Sequence, residues 1–197
     1  MYRPRPFFLR HNPVTRRKLA ALRGAALLRQ GSLIAHHTDT LPGVVGNPNS
    51  PASIAMMIRF KQRFGPFLLL ADSIATALSL ARFYSPELRR KAQTVWPGPV
   101  TLVFAGKPGL PACCYHRGMI AVRVDGSLQA RQLAAACGGL VMSSSLNRRG
   151  KKAMQPALKH TLQMHRFIRA YLVGAPCSGK ASSIVRVWRN DSTIIRP

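Results

Sequence analysis

The chain has 197 residues, with 30 lysines and arginines against five aspartates and glutamates, and a net charge of +25. Its 47% hydrophobic content suits one domain with a real core, which excludes a disordered protein, and no apolar run reaches the roughly 20 residues of a bilayer span. The acids are Asp39, Asp72, Glu87, Asp125 and Asp191, so chemistry built on paired carboxylates or a carboxylate metal cage has little to draw on.

A positive field of this size attracts polyanions, RNA first and nucleotide phosphates next, and makes their binding salt-sensitive. A basic bias across a whole proteome would leave the same mark. Residues 1–13 hold three prolines and three arginines without period, which predicts a basic tail ahead of a single domain over 14–197. That segment lacks an apolar signal core, so no secretory signal is expected and the cytoplasm is the expected compartment. Cys113, Cys114, Cys137 and Cys177 contain no C-x-x-C pair and point to reduced structural thiols.

Thr15 is expected to cap a helix running to about Gln30, with Leu19, Leu22, Ala26 and Leu27 inward and Gly31 as its stop. Leu33–Ala35 reads as a first strand, followed by His36, His37, Thr38, Asp39 and Thr40, then a loop to Ser50. Ser50-Pro51 is a helix start, a capping serine before a proline, and the helix ends near Lys61-Gln62-Arg63. A strand over Phe67–Ala71, a helix over Ser73–Arg82, and a second Ser-Pro start at Ser85-Pro86 come next. Trp96-Pro97-Gly98-Pro99 is a turn into a strand over Val100–Ala105. Gly106–Gly118 reads as loop, Met119–Val124 as strand and Leu128–Cys137 as helix.

Leu140–Met142 predicts a buried strand that stops at a polar loop, Ser143-Ser144-Ser145, with Asn147 beyond. A basic stretch with weak helical pattern covers about 150–168. Tyr171–Val173, Ser183–Trp188 and Thr193–Arg196 close the chain as strands, the last two joined at Asn190-Asp191. The alternation argues an α/β or mixed α+β domain, a single sheet flanked by helices.

Several residues have the chemistry of an anion site. Lys61 and Arg63, at a helix end, offer a point charge and a planar fork to one polyphosphate, though solvated charges at a helix C-terminus would look the same. Hydroxyls at Ser143, Ser144 and Ser145 can bind phosphate oxygens, and the Asn147 amide can pair with an adenine edge. Thr38, Asp39 and Thr40 can orient a small polar substrate. Gly174–Ala181 nearly matches a phosphate-binding G-x-x-x-x-G-K-[ST] loop, but Ala181 replaces the magnesium-holding hydroxyl and too little chain follows. Ser182, Ser183 and Arg196 can add anion contacts there. His36 and His37 would point to opposite faces of a strand, which argues against joint metal binding. His116, His160 and His165 fall in loop-like or basic stretches and read as surface or RNA-facing residues.

Together these pieces resemble the YrdC-like family of threonylcarbamoyl-AMP synthases, in its single-domain bacterial TsaC type. The likeness rests on Thr38-Asp39-Thr40, Lys61-Gln62-Arg63, Trp96-Pro97-Gly98-Pro99-Val100-Thr101, Ala121-Val122-Arg123-Val124, Ser143-Ser144-Ser145-Leu146-Asn147, the Gly179–Ser183 loop and Ile195-Arg196-Pro197, in that order. It implies a twisted α/β domain with a basic concave face. It also implies a nucleotidyltransferase in which L-threonine, bicarbonate and ATP give threonylcarbamoyl-AMP and pyrophosphate. Magnesium would accompany the ATP, with no metal held by the protein. The product would feed threonylcarbamoylation of the adenosine next to the anticodon in tRNAs that read codons starting with A. Downstream transfer proteins, and tRNA drawn to the basic surface, are the implied partners.

By the same resemblance Lys61 and Arg63 carry the catalytic charge, joined at ATP by Ser143, Ser145, Asn147, Ser183 and Arg196. Thr38, Asp39 and Arg123 would seat threonine. The chain departs from the family pattern at His37, Asp39, Leu41-Pro42 and Val187, changes that fall mostly on the threonine side. A diverged paralogue that binds nucleotide or RNA without making the adenylate is the second reading.

Overall fold

A computed structural model describes residues 7–9, 14–148, 150–151 and 164–197. Its elements run β1 (Phe7–Leu9), α1 (Val14–Arg29), β2 (Leu33–His36), β3 (Gly43–Gly46), α2 (Pro51–Lys61) and β4 (Leu68–Ala71). Then follow α3 (Ile74–Ser79), α4 (Pro86–Val95), β5 (Val100–Ala105), a 3-10 turn at Ala112–Cys114, β6 (Tyr115–His116) and β7 (Met119–Val124). The order closes with α5 (Leu128–Ala136), β8 (Leu140–Ser145), β9 (Ile168–Leu172), β10 (Ser183–Trp188) and β11 (Asp191–Arg196).

All described strands join one mixed sheet in the order β1-β9-β2-β3-β8-β4-β7-β5-β10-β11, with β6 on β7. The α/β expectation holds. The pairs β1–β9, β2–β9, β4–β7 and β5–β10 are parallel; the others are antiparallel.

Side chains on a strand alternate between faces, so the sheet has two different sides. Leu33, Leu69, Leu102, Val122 and Met142 face α2, α3 and α4 in the larger core. Ile34, Val45, Leu70, Val141 and Leu172 face the other way, under α1 and α5. Beyond α5, that second face continues across β7, β5 and β10 with Ala121, Val103, Thr101 and Ile184, which line a cavity instead of a core.

The start signals of the helices act as their chemistry dictates. Ser50, Ser73 and Ser85 each accept a backbone N–H with the side chain, from Ser53, Thr76 and Leu88. The Ser73 helix stops at Ser79, short of Arg82. The Trp96–Pro97 peptide of the expected turn is cis.

Further expectations change. Gly106–Gly118, expected as loop, holds the 3-10 turn and the short strand β6, which pairs with β7. The inward face of α1 is Ala20, Ala21, Gly24, Ala25 and Leu28, whereas Leu19 and Leu22 are each 48% exposed. Small residues let α1 lie close to the sheet and α5, and larger leucines would hold it away. The stretch Gly43–Gly46, expected as loop, is a fully buried interior strand. Its glycines are required by close approach: a Cβ at Gly43 would sit 2.9 Å from the His36 ring, and one at Gly46 would strike the Ser53 hydroxyl and sit 2.9 Å from Leu33. Ser143–Ser145 belong to β8 rather than to a loop after it. Within the expected tail, Phe7–Leu9 form an edge strand on β9. The rest of the tail, His160 and most of the weak helical stretch lie outside the described residues.

The orientation of α1 is tested by paired truncations. Leu28→Ala, at a fully buried site, should lower stability by about 2–5 kcal/mol, and Leu22→Ala should stay within about 0.5 kcal/mol, measured by urea unfolding.

Candidate functional site

Arg123 is the deepest cation of the sheet. It sits on β7 opposite Leu70, facing the second side, and is only 3% exposed. A guanidinium so buried needs an anion. Nη2 donates to Asp125 Oδ2 at 2.5 Å, and Nη1 donates to Thr40 Oγ1 at 2.8 Å. Its Nε finds no acceptor among the described residues. Asp125 also accepts the N–H of Asp39 at 3.1 Å and of Ser127 at 2.9 Å, so one carboxylate ties together three segments.

Asp39 is drawn into the same cluster. Its Oδ2 accepts the Gly126 N–H at 2.9 Å, and Oδ1 lies 3.7 Å from Arg123 Nη2. Burial and then the Asp125 charge push the Asp39 carboxyl above its ordinary value, against the opposing pull of Arg123 and the Gly126 N–H. Thr38 Oγ1 donates to Leu41 O at 2.6 Å and accepts the Thr40 N–H at 3.1 Å, so the 38–41 turn is held by its own hydroxyls. The glycine-containing segment after β9 packs on this turn: Ser178 N–H donates to Asp39 O, and Gly179 N–H to Thr40 O at 3.0 Å. His36, buried beneath, is held neutral with a pKa near 3 by burial and by Arg123.

Lys61 ends α2 and is 3% exposed. All three of its N–H bonds have acceptors: Ser145 O at 2.8 Å, Asn147 O at 2.6 Å and Asn147 Oδ1 at 2.6 Å. Ser145 Oγ donates to the same Asn147 Oδ1 at 2.6 Å. Burial, followed by the nearby Arg63, lowers the Lys61 pKa to about 8. Arg63 lies over the Phe67 ring, 4.8 Å from its centre, and donates to Pro66 O at 2.8 Å.

The cavity that these elements border has a volume of about 620 Å³. Of the residues singled out in the sequence, Thr38, Arg63, Arg123, Ser143, Ser145 and Arg196 line it. Lys61, Asn147 and Asp39 do not; they stand behind the wall and shape it. Ser183 is also off the cavity, because alternation along β10 turns it away; its neighbour Ser182 lines the wall instead, 2.9 Å from the Thr101 hydroxyl. Arg196 donates to Ser182 O from Nε at 3.1 Å and from Nη2 at 2.6 Å.

Arg117 and Arg186 were not expected here. Among the described residues they make, with Arg63, Arg123 and Arg196, five arginines around a cavity that no aspartate or glutamate lines. Arg186 is placed by register, since it pairs with Val103 and Val103 with Ala121, whereas Arg117 stands in the turn between β6 and β7 with a φ of 50°. Asp125 was noticed only as one of few acids. Chemically, the site presents a cationic wall with hydroxyls along it, suited to anions, and a polar, partly charged pocket at the Arg123 end. Among the described residues no three metal-binding side chains converge, and no helix is long and apolar enough to cross a membrane.

Asp125→Leu and Arg123→Met should each cost about 3–5 kcal/mol in urea unfolding, since each strands a buried charge. The double variant should cost less than the two added, which is the signature of a direct pair.

The Sua5–YciO–YrdC family model, described as telomere recombination, matches residues 26–197. A threonylcarbamoyl-AMP synthase of Alkalilimnicola ehrlichii is 33% identical over 135 residues, 68% of this chain and 70% of that protein. The crystal structure of P. abyssi Sua5 complexed with L-threonine superposes with a TM-score of 0.84 at 22% identity, covering 96% of this chain and 56% of that one. The crystal structure of E. coli YciO gives a TM-score of 0.83 at 18% identity, covering 97% and 95%. The chain thus spans little more than half of the Sua5 chain but nearly all of YciO. A family model matched over most of the sequence and a relative at this identity agree: the chain belongs to the Sua5–YciO–YrdC family.

Proposed function

We propose that the protein is a threonylcarbamoyl-AMP synthase, an adenylyl-transferring enzyme that takes L-threonine, bicarbonate and magnesium-bound ATP. The observation that carries the reading is the acid-free cavity with its five arginines. The name of the A. ehrlichii relative agrees with it. Threonine's amine and bicarbonate give a carbamate and water. A carbamate oxygen attacks the α-phosphorus, the bond to the β-phosphate oxygen breaks, and pyrophosphate leaves. No protein nucleophile is required. The difficulty is electrostatic, since a carbamate must approach a polyphosphate of the same sign, and fixed cations offset that repulsion.

In this proposal Arg63, Arg117, Arg186 and Arg196 hold the phosphates, with Ser143, Ser145 and Ser182 donating hydroxyls to their oxygens. Arg123 meets the amino-acid carboxylate through its remaining Nε donor, and Thr38 and Asp39 fix the orientation of the substrate. Lys61 acts mainly by position, holding Ser145 and Asn147 against the cavity while its charge lies behind the phosphates. The threonylcarbamoyl group is destined for tRNA, through downstream transfer proteins, which agrees with a cytoplasmic setting.

The decisive assay incubates the protein with ATP, magnesium, bicarbonate and L-threonine and detects threonylcarbamoyl-AMP by mass spectrometry, with serine and no-amino-acid controls. A threonine-dependent product supports the reading. Bound ATP without product would instead favour a nucleotide-binding paralogue. Lys61→Ala and Arg63→Ala should each reduce pyrophosphate release by at least about 100-fold, the scale of losing a group that stabilises transition-state charge. If both retain full activity, the site assignment fails.

A pH effect follows from Lys61. Its folded pKa is lowered to about 8, so the ammonium loses its proton as pH rises through that value. kcat/KM for ATP should therefore fall on the alkaline side with a midpoint near 8. In Lys61→Arg, whose guanidinium stays charged, that limb should disappear.

A further inference from the structure

A cleft of about 220 Å³ opens at the ends of β5 and β10, on the side of the sheet away from the arginine-lined cavity. Its floor is Leu88, Phe104 and Val187, all buried members of the larger core. Its rim is the reverse. Phe83 is 63% exposed and Trp188 54%, and Tyr84, next to Phe83, is 59% exposed. Arg82 lies over the Phe83 ring, 5.4 Å from its centre, and Arg82 and Tyr84 border an adjoining depression with Lys107. Arg189 completes the rim from the turn between β10 and β11. Its φ of 47° is left-handed backbone, where glycine would sit with less strain, yet the residue there brings a guanidinium to the cleft. Aromatic rings grouped in solvent around an apolar floor mark an interaction surface, and tryptophan, tyrosine and arginine are the residues that carry most of the binding energy at protein interfaces.

Charge and polarity choose among the occupants that such a rim can meet. A second copy would bring the same cations against it, from a chain of net charge +25. A nucleic-acid base would need partners for its polar edge, but the cleft's hydroxyl, Ser85 Oγ, already accepts the Leu88 N–H at 3.1 Å, and the floor is hydrocarbon. An apolar side chain leaves nothing unpaired on that floor, and carboxylates beside it would meet Arg82, Lys107 and Arg189. Among the described residues no aspartate or glutamate lines the cleft to repel them. Glu87 is paired with Arg90 at 2.7 Å, and Asp191 lines a separate depression beyond Trp188.

We propose that this cleft docks a short acidic segment of another protein. An apolar side chain of that segment seats between Phe83 and Trp188, and the carboxylates flanking it lie on Arg82, Lys107 and Arg189. The surface stands apart from the synthase reading, because the cleft shares no lining residue with the cavity.

The test titrates the full chain with the fluorescein-labelled peptide Glu-Glu-Leu-Phe-Glu-Glu, followed by anisotropy, and compares the same peptide with Ala-Ala at its centre. The parent should bind the first peptide, and the Ala-Ala peptide should bind at least about tenfold more weakly. Phe83→Ala should weaken the first peptide by about tenfold. Arg189→Gly should weaken it by about threefold and reduce its dependence on salt. Neither variant should lose stability in urea unfolding, since Phe83 is mostly in solvent and glycine relaxes the turn, so the loss reports docking. Trp96 is 4% exposed, so a blue shift of tryptophan emission on adding unlabelled peptide reports Trp188, and Trp188→Phe should remove it. The proposal is overturned if the parent does not bind the peptide, or if the Ala-Ala peptide binds as tightly, which would leave only the field of the charges. It is also overturned if decauridylate binds and is lost in the same variants, which would mark a nucleic-acid site. A dimer in sedimentation that Phe83→Ala dissolves would overturn it in favour of a second copy.

Discussion

A single buried ion pair organises this molecule. Arg123 and Asp125 lie two residues apart at the end of β7, both almost wholly removed from water. Placing two charges there is costly, and their attraction offsets the cost only when the remaining donors and acceptors are also used. That condition recruits the Thr38–Thr40 turn, the backbone of Asp39 and Ser127, and the Gly126 N–H. The pair therefore fixes the end of the cavity by demanding partners from distant parts of the chain.

A second tie works in the same way at the opposite wall. Lys61 uses all three of its N–H bonds on the Ser145–Asn147 segment. Its lysine-like reach brings the end of α2 to the end of β8, and Ser143 and Ser145 are left facing the cavity. Among the described residues no acid lines the cavity, and of its arginines Arg123 is the one held in an ion pair, with Asp125 behind the wall. The proposed reaction brings two anions together, and that needs fixed positive charge that does not have to reorganise during the step.

Most elements could be read from local patterns, and the failures are instructive. The Ser-Pro starts of α2 and α4 and the apolar strands β5 and β7 are set by neighbours in sequence, and they appear where expected. The inward face of α1 was misplaced because leucines outrank alanines in any hydrophobic reading, yet close packing on the sheet selects Ala21, Gly24 and Ala25. The strand β3 was hidden because its glycines and flanking proline and asparagine look like loop; only the His36 ring and Ser53 hydroxyl explain why glycine is needed. In the site, Arg63, Arg123 and Arg196 were legible as single residues. Arg186 and the exchange of Ser182 for Ser183 were not, since they depend on strand register and on which face β10 turns inward, and Arg117 was not because it stands in the turn between β6 and β7. Asp125 likewise gains its importance only once Asp39 and Thr40 are brought to it.

The hydrogen bonds that build the site join residues far apart in sequence: 83 positions separate Arg123 from Thr40, 86 separate Lys61 from Asn147, and 137 separate His37 from Gly174. Each such closure costs chain entropy before any contact repays it, and domains dominated by distant pairings fold slowly for that reason. Here the expensive closures and the chemical apparatus are the same bonds. Local helices can form early, but the anion-binding wall exists only when the whole topology is in place. A partly folded chain would carry its full positive charge without the cavity that orders it.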